Sequence, residues 1–175
     1  MDFMLMLNRL LLVTLVTATL GGPSVVSAQS MKTGNFTVLI SKDPAGERNR
    51  SYAYAPSADS VGGLGWKCLG DGMNVILAFG KYFRDDRGRQ IVVRYQFDGK
   101  PEAAPSYWTL ANGGEAAYMP LSEVEAFTSQ ARGSRQVVMR VSDPVDGQTR
   151  TFDVGLGKLG SALGRVGKCP APPRR

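Results

Sequence analysis

Residues 63–83 read GLGWKCLGDGMNVILAFGKYF. Two β-prone runs, Trp66 to Leu69 and Met73 to Phe79, flank Gly70-Asp71-Gly72, where positive φ is cheap. The stretch reads as a hairpin with Val75, Leu77 and Phe79 on one face. A phosphate cradle would need a helix N-terminus after the glycines, and a strand follows instead. Cys68 sits inside the hairpin, so the fold question becomes whether this is a thiol site or one corner of a stapled sheet. A reactive thiolate needs a base, and the chain of 175 residues contains no histidine.

The start of the chain favours the staple. Leu10 to Leu20 is an apolar run broken only by threonines, Arg9 precedes it, and Val26-Ser27-Ala28 offers small residues for cleavage. That pattern is an export signal, expected to be cleaved after Ala28, and the run is about half the ~20 apolar residues of a membrane span. No stable span is expected after cleavage, and the predicted location is periplasmic or secreted. Outside the cytosol, the even count of two cysteines, Cys68 and Cys169, reads as one disulfide. Closing a loop of about 100 residues stabilises a fold by about 4.7 kcal/mol in the chain-entropy model.

Outward from the hairpin, turn signals recur about every 8 to 15 residues. Phe36 to Ile40 and Ser51 to Ala55 are short strands around the polar loop SKDPAGERNR. After Asp85-Asp86-Arg87-Gly88, the run QIVVRYQF puts Ile91, Val93, Tyr95 and Phe97 on one face and Val92, Arg94 and Gln96 on the other, the clearest period-two signal in the chain. Asp98-Gly99-Lys100-Pro101 ends it. Tyr107 to Ala111 and Ala116 to Met119 flank Asn112-Gly113-Gly114 as a second hairpin. RQVVMRVS and TRTFDVGL flank DPVDG as a third. Pro120 opens a helix with Ser122 as N-cap, Glu125 at N3 and a buried stripe of Leu121, Val124 and Phe127. Leu156, Leu159, Leu163 and Val166 have helical spacing near the end.

The expected fold is mainly β: a small antiparallel β-sandwich or half-open barrel of about eight strands, with two short helices and one disulfide. The expected organisation is a signal peptide over 1–28, N-terminal strands and a polar loop over 29–60, a β-rich core over 61–169 belonging to the same domain, and a frayed tail over 170–175.

Lys and Arg number 21 against 15 Asp and Glu, a formal net charge of +6. Anionic partners are compatible with that balance. The charge is scattered, however: Arg84, Arg87, Arg89 and Arg94 are interleaved with Asp85, Asp86 and apolar residues, as on a solvated surface. No nucleic-acid motif is present. Without histidine, a Ser-His-Asp triad and every histidine-containing metal site are excluded, and two bonded cysteines cannot make a zinc site. No metal or cofactor is expected. Paired carboxylates could still serve glycoside hydrolysis. Yet Asp71, Asp98 and Asp146 each precede glycine, as turn chemistry predicts, and Asp85 and Asp86 lie in a loop. Trp66, Trp108, Tyr82, Phe83, Tyr95 and Phe97 read as core, with an exposed aromatic patch as the rarer alternative.

The order LGWKCLGDGMNVILAFGKYF, IVVRYQFDGKPEAAPSYWTLANGGEAAYMP, a short helix, RQVVMRVSDPVDGQTRTFDVGL and a last helix ending at Cys169 resembles the VasI-like proteins associated with bacterial type VI secretion. The likeness runs over residues 61–169. It implies that Cys68 pairs with Cys169 and that Arg94, Trp108 and Arg140 occupy framework positions. It implies an accessory role and no catalytic residue. The expected function is therefore an exported, non-enzymatic accessory or binding protein with a protein partner in the cell envelope. A lysozyme-inhibitor-like protein is the alternative; it would insert the loop from Asn112 through Gly113 and Gly114 to Tyr118 into an enzyme cleft. A carboxylate-dependent envelope hydrolase is the reading from another class.

Overall fold

A computed structural model describes residues 28–41, 49–80, 89–143 and 147–169. Residues 1–27 of the expected export signal, Tyr82, Phe83, Arg84, Asp85, Asp86, Arg87, Asp146 and the tail from residue 170 lie outside the described residues. Ten strands, all paired antiparallel, form one sheet. In chain order they are β1 (Ala28–Thr33), β2 (Phe36–Ser41), β3 (Tyr52–Pro56), β4 (Gly63–Leu69), β5 (Gly72–Ala78), β6 (Gln90–Phe97), β7 (Ser106–Leu110), β8 (Ala116–Tyr118), β9 (Gln136–Ser142) and β10 (Thr149–Gly155). Helix α1 (Leu121–Arg132) joins β8 to β9, and α2 (Leu159–Val166) follows β10.

The spatial order is β1-β2-β3-β4-β5-β8-β7-β6-β9-β10. The sheet curls until β10 reaches β3, where Ser57 bridges Val154 and the Ala58 amide donates to the Asp153 carbonyl at 2.8 Å. The β1–β2 hairpin stands beyond that seam, so the sheet is not closed into a barrel. The three expected hairpins are β4–β5, β7–β8 and β9–β10. Two expectations fall short: β1 adds a strand that no alternation announces, and β4 begins at Gly63 rather than Trp66.

Alternation sorts each strand into an inner and an outer face. Phe36, Val38, Ala53, Ala55, Leu64, Trp66, Cys68, Val75, Leu77, Ile91, Val93, Phe97, Trp108, Val137, Met139 and Val141 all point inward and are essentially solvent-free. The helices fill the concave side. Phe127 of α1 lies against Trp66, Tyr95, Phe97 and Trp108, with ring centroids 5.0–6.5 Å apart. The Trp66 indole N–H donates to the Thr128 hydroxyl at 2.9 Å, fixing α1 over β4. Leu159, Ala162, Leu163 and Val166 of α2 are buried, and this helix packs on β2 and β3. Cys68 and Cys169 are disulfide-bonded with their Cα atoms 5.1 Å apart, which binds the chain after α2 to the inner face of β4.

The helix start differs from the expected capping box. Leu121 is already helical, the Glu123 amide donates to the Pro120 carbonyl, and no side chain caps the end. Ser122 thus falls inside the first turn. The Ser106 hydroxyl instead donates to the Glu123 carboxylate at 2.6 Å and accepts from the Trp108 indole at 2.9 Å, tying the helix start to β7. The buried stripe is Val124, Phe127 and Ala131, while Leu121 is 50% exposed because it precedes the turn that contacts the sheet.

The scattered-charge reading also needs one correction. Arg89, at the entry to β6, makes an ion pair of 2.8 Å with Asp143 at the exit of β9, and the Asp143 side chain is fully buried. Its place opposite an acid in the next strand end, invisible in sequence, makes it part of the interior.

Candidate functional site

Once the inner face is assigned to packing, the outer face is what the sheet offers a ligand. Pairing across β3, β4, β5, β8 and β7 aligns Tyr54, Gly65, Ile76, Tyr118 and Thr109 in one transverse row. At ~4.8 Å per strand, the two tyrosine positions stand about 14 Å apart. Tyr52 and Lys67 form the next row, and Gly63 and Ala78 the row on the other side. A shallow depression of about 190 Å³ lies among Tyr52, Tyr54, Gly65, Lys67, Ile76 and Ala78.

Glycine makes this floor. A Cβ on Gly63 would run into the Ala55 carbonyl and the Tyr54 phenol oxygen, so the Tyr54 ring lies directly over the β4 backbone. At Gly65 a Cβ would meet Tyr54 Cδ2 and the Ala53 carbonyl at 3.6 Å, an ordinary contact. GLGWKCL thus alternates glycine and Lys67 outside with Leu64, Trp66 and Cys68 inside. The residue pattern that makes the core also clears the platform above it. Burial raises the Tyr54 phenol above its usual pKa, so it stays a neutral hydrogen-bond donor further into alkaline pH than a free tyrosine.

A wider groove of about 700 Å³ runs between the β4–β5 turn and the helices, walled by Asp71, Met73, Leu121, Glu125, Arg132 and Leu163 among others. Part of its floor belongs to the core, since Val124 and Leu163 are both buried there.

The residues singled out in the sequence separate into three places. Trp108 is fully buried on the inner face. Arg94 and Arg140 are direct cross-strand partners on the outer face of β6 and β9. Asn112 and Gly113 are exposed in a tight reversal closed by Ala111 N–H to Ala116 and by Gly114 N–H to Ala111, with Gly113 and Gly114 at φ 93° and 65°. Gly114 is buried, and Tyr118 sits on the sheet rather than at the loop tip. The loop therefore does not gather these four residues into one projecting probe, whereas Tyr118 joins Tyr54 and Ile76.

Of the carboxylates considered for hydrolysis, Asp71 and Asp98 are described. Asp71 accepts from the Asn74 side-chain amide at 2.8 Å. Asp98, at φ 50°, accepts from the backbone amides of Arg135 and Gln136 at 2.9 and 3.1 Å. Desolvation opposes ionisation of Asp98, but those two amides and the charges of Arg135 and Lys100 outweigh it and hold the carboxyl below the usual range. Asp71 is engaged in its own turn, and Asp98 in tying the end of β6 to the start of β9. Among the described residues no group of three or more His, Cys, Asp or Glu side chains could hold a metal ion, and no helix is long and apolar enough to cross a membrane. The row of Tyr54, Gly65, Ile76 and Tyr118 carried no sequence signal, because its members come from strands whose pairing only the fold specifies.

No family model, curated protein or solved structure matches this chain.

Proposed function

We propose that this protein is a non-enzymatic binding module of the cell envelope that holds a protein partner on the outer face of its sheet. The observation that carries the reading is the tyrosine platform floored by Gly65. It combines two half-buried tyrosines, Ile76 and the Lys67 stem around an open depression, and none of these side chains is needed by the core. Tyrosine supplies a large rigid contact with a polar tip, the composition enriched at protein interfaces. Lys67 at the edge favours an acidic group on the partner. The Cys68–Cys169 bond fits an oxidising compartment, since such bonds are rare where thiols are kept reduced. The resemblance to VasI-like proteins is what directs the reading to type VI secretion.

The test is photo-crosslinking in native cells from a benzoylphenylalanine at position 52 or 118, with position 109 and the opposite-side position 132 as controls. One discrete adduct from 52 and 118, absent from 132, is the expected result. Adducts only from 132 would move the interface to the groove beside α1 and end the platform reading. Thiol trapping of the same protein is expected to find neither cysteine free.

A further inference from the structure

We propose that Arg94 and Arg140 form a binding site for a phosphate group, on a part of the sheet that the tyrosine platform does not use. The two residues are directly opposite on β6 and β9, and Arg140 is in turn directly opposite Thr151 on β10. Directly opposed residues of an antiparallel pair have Cβ atoms about 5 Å apart, and like charges in that position are destabilising. Any uncharged pair would be better for the sheet.

The fold does little to relieve the repulsion. Arg140 lies 3.4 Å from Glu102, with the two side chains 52% and 36% exposed, a loose surface contact of the kind that contributes little. Asp153, two residues beyond Thr151, makes no ion pair with either arginine. Among the described residues the Arg94 guanidinium has no hydrogen-bond or ion-pair partner. Arg89, five positions earlier and so on the opposite face of the strand's path, is by contrast locked onto Asp143. The chain thus spends one arginine on its interior and leaves a pair facing outward.

Two guanidinium forks on one face of the sheet match an oxyanion with several acceptor oxygens, and arginine meets such groups with paired N–H donors. A phosphate monoester, carrying close to two negative charges at neutral pH, cancels the mutual repulsion of two cations better than one carboxylate does. The Thr151 hydroxyl stands one strand further on as a further donor. Glu102 then competes with the ligand for Arg140.

Titration of the full chain with inorganic phosphate at low ionic strength, followed through the arginine Nε–H resonances, tests the site. Phosphate is expected to move the Arg94 and Arg140 signals together, and acetate at equal ionic strength to move them much less. R94Q and R140Q should each weaken phosphate binding about tenfold, and E102Q should strengthen it. R94Q should melt at or above the wild-type temperature, because it removes one of two opposed like charges. Equal response to acetate, binding unchanged in R94Q, weaker binding in E102Q, or a lower melting temperature in R94Q would each overturn the proposal. Sedimentation with phosphatidylcholine vesicles, with and without phosphatidic acid, locates the phosphate. Arginine-dependent capture by the acidic vesicles assigns it to a lipid head group, and a response to free phosphate without capture assigns it to a soluble ligand. Loss of crosslinking from the tyrosine platform would leave all of these results untouched.

Discussion

Trp66 and Tyr54 lie on neighbouring strands, one residue out of register, and point to opposite sides of the sheet. Trp66 is fully buried, touches Phe36 and Phe127, and donates its indole proton to a helix hydroxyl. Tyr54 lies over bare β4 backbone with part of its ring open to solvent. The inner face is closed by two helices and a disulfide, so a change there is felt by the whole molecule. On the outer face, side chains rest on finished backbone and can exchange protein contacts for a ligand at little cost to folding.

The largest effect that sharpens this contrast is expected at the centre of the inner face. Phe127→Ala removes the ring on which Trp66, Tyr95, Phe97 and Trp108 converge and should destabilise the protein by about 3–5 kcal/mol, measured by denaturant unfolding. Cys169→Ser should lower stability by about 2–4 kcal/mol under non-reducing conditions and leave it equal to that of the reduced wild type. A serine variant as stable as the oxidised protein would mean that α2 holds the chain end without the bond. Gly63→Ala is the one outer-face change expected to behave like a core change. Its Cβ would press on the Ala55 carbonyl, which cannot swing aside as a side-chain tip can, and a loss of about 1–3 kcal/mol should follow.

Inner and outer faces were unequally legible in the sequence. QIVVRYQF gave its buried set at sight, because alternation over eight residues leaves one assignment. The hairpins around Gly70-Asp71-Gly72, Asn112-Gly113-Gly114 and DPVDG followed from turn chemistry, and the disulfide from two cysteines behind a predicted export signal. The strand order that inserts β8 and β7 between β5 and β6 has no local signal, and everything that depends on it stayed hidden. Tyr54 and Tyr118 are 64 positions apart and share a row only because β3, β4, β5 and β8 lie in that order. The Arg94–Arg140 opposition and the Arg89–Asp143 pair depend in the same way on β6 lying beside β9. The Ser122 cap failed for a local reason: the helix begins at Leu121, so Ser122 lies inside the first turn, and the Glu123 amide already donates to the Pro120 carbonyl.

Asp98 tests the contrast at its margin, since it is a half-exposed residue whose carboxylate ties the end of β6 to the start of β9. Its pKa is lower in the folded protein than the ordinary value, so the unfolded chain binds the proton more readily. The stabilisation it gives is therefore complete above the unfolded pKa of about 4 and is lost as pH falls through the lower folded value. Asp98→Asn should be less stable than the wild type at neutral pH, and the two unfolding curves should converge in acid. A difference that persists unchanged at the lowest pH would assign the effect to backbone conformation at φ 50° instead of charge.

The smallest expected effect on stability is also the sharpest separation of the two faces. Gly65 has space for a methyl group at ordinary contact distance and carries no positive φ, unlike the glycines of the turns. Gly65→Ala should therefore raise stability by about 0.4–1 kcal/mol through the unfolded chain. The same methyl group fills the floor between Tyr54 and Ile76, so crosslinking from position 52 or 118 should fall although the fold has gained stability. A variant that is both more stable and fully competent for crosslinking would show that the partner does not enter the depression. A variant that loses both would show that the β4 backbone is part of the core on its outer side as well as its inner one.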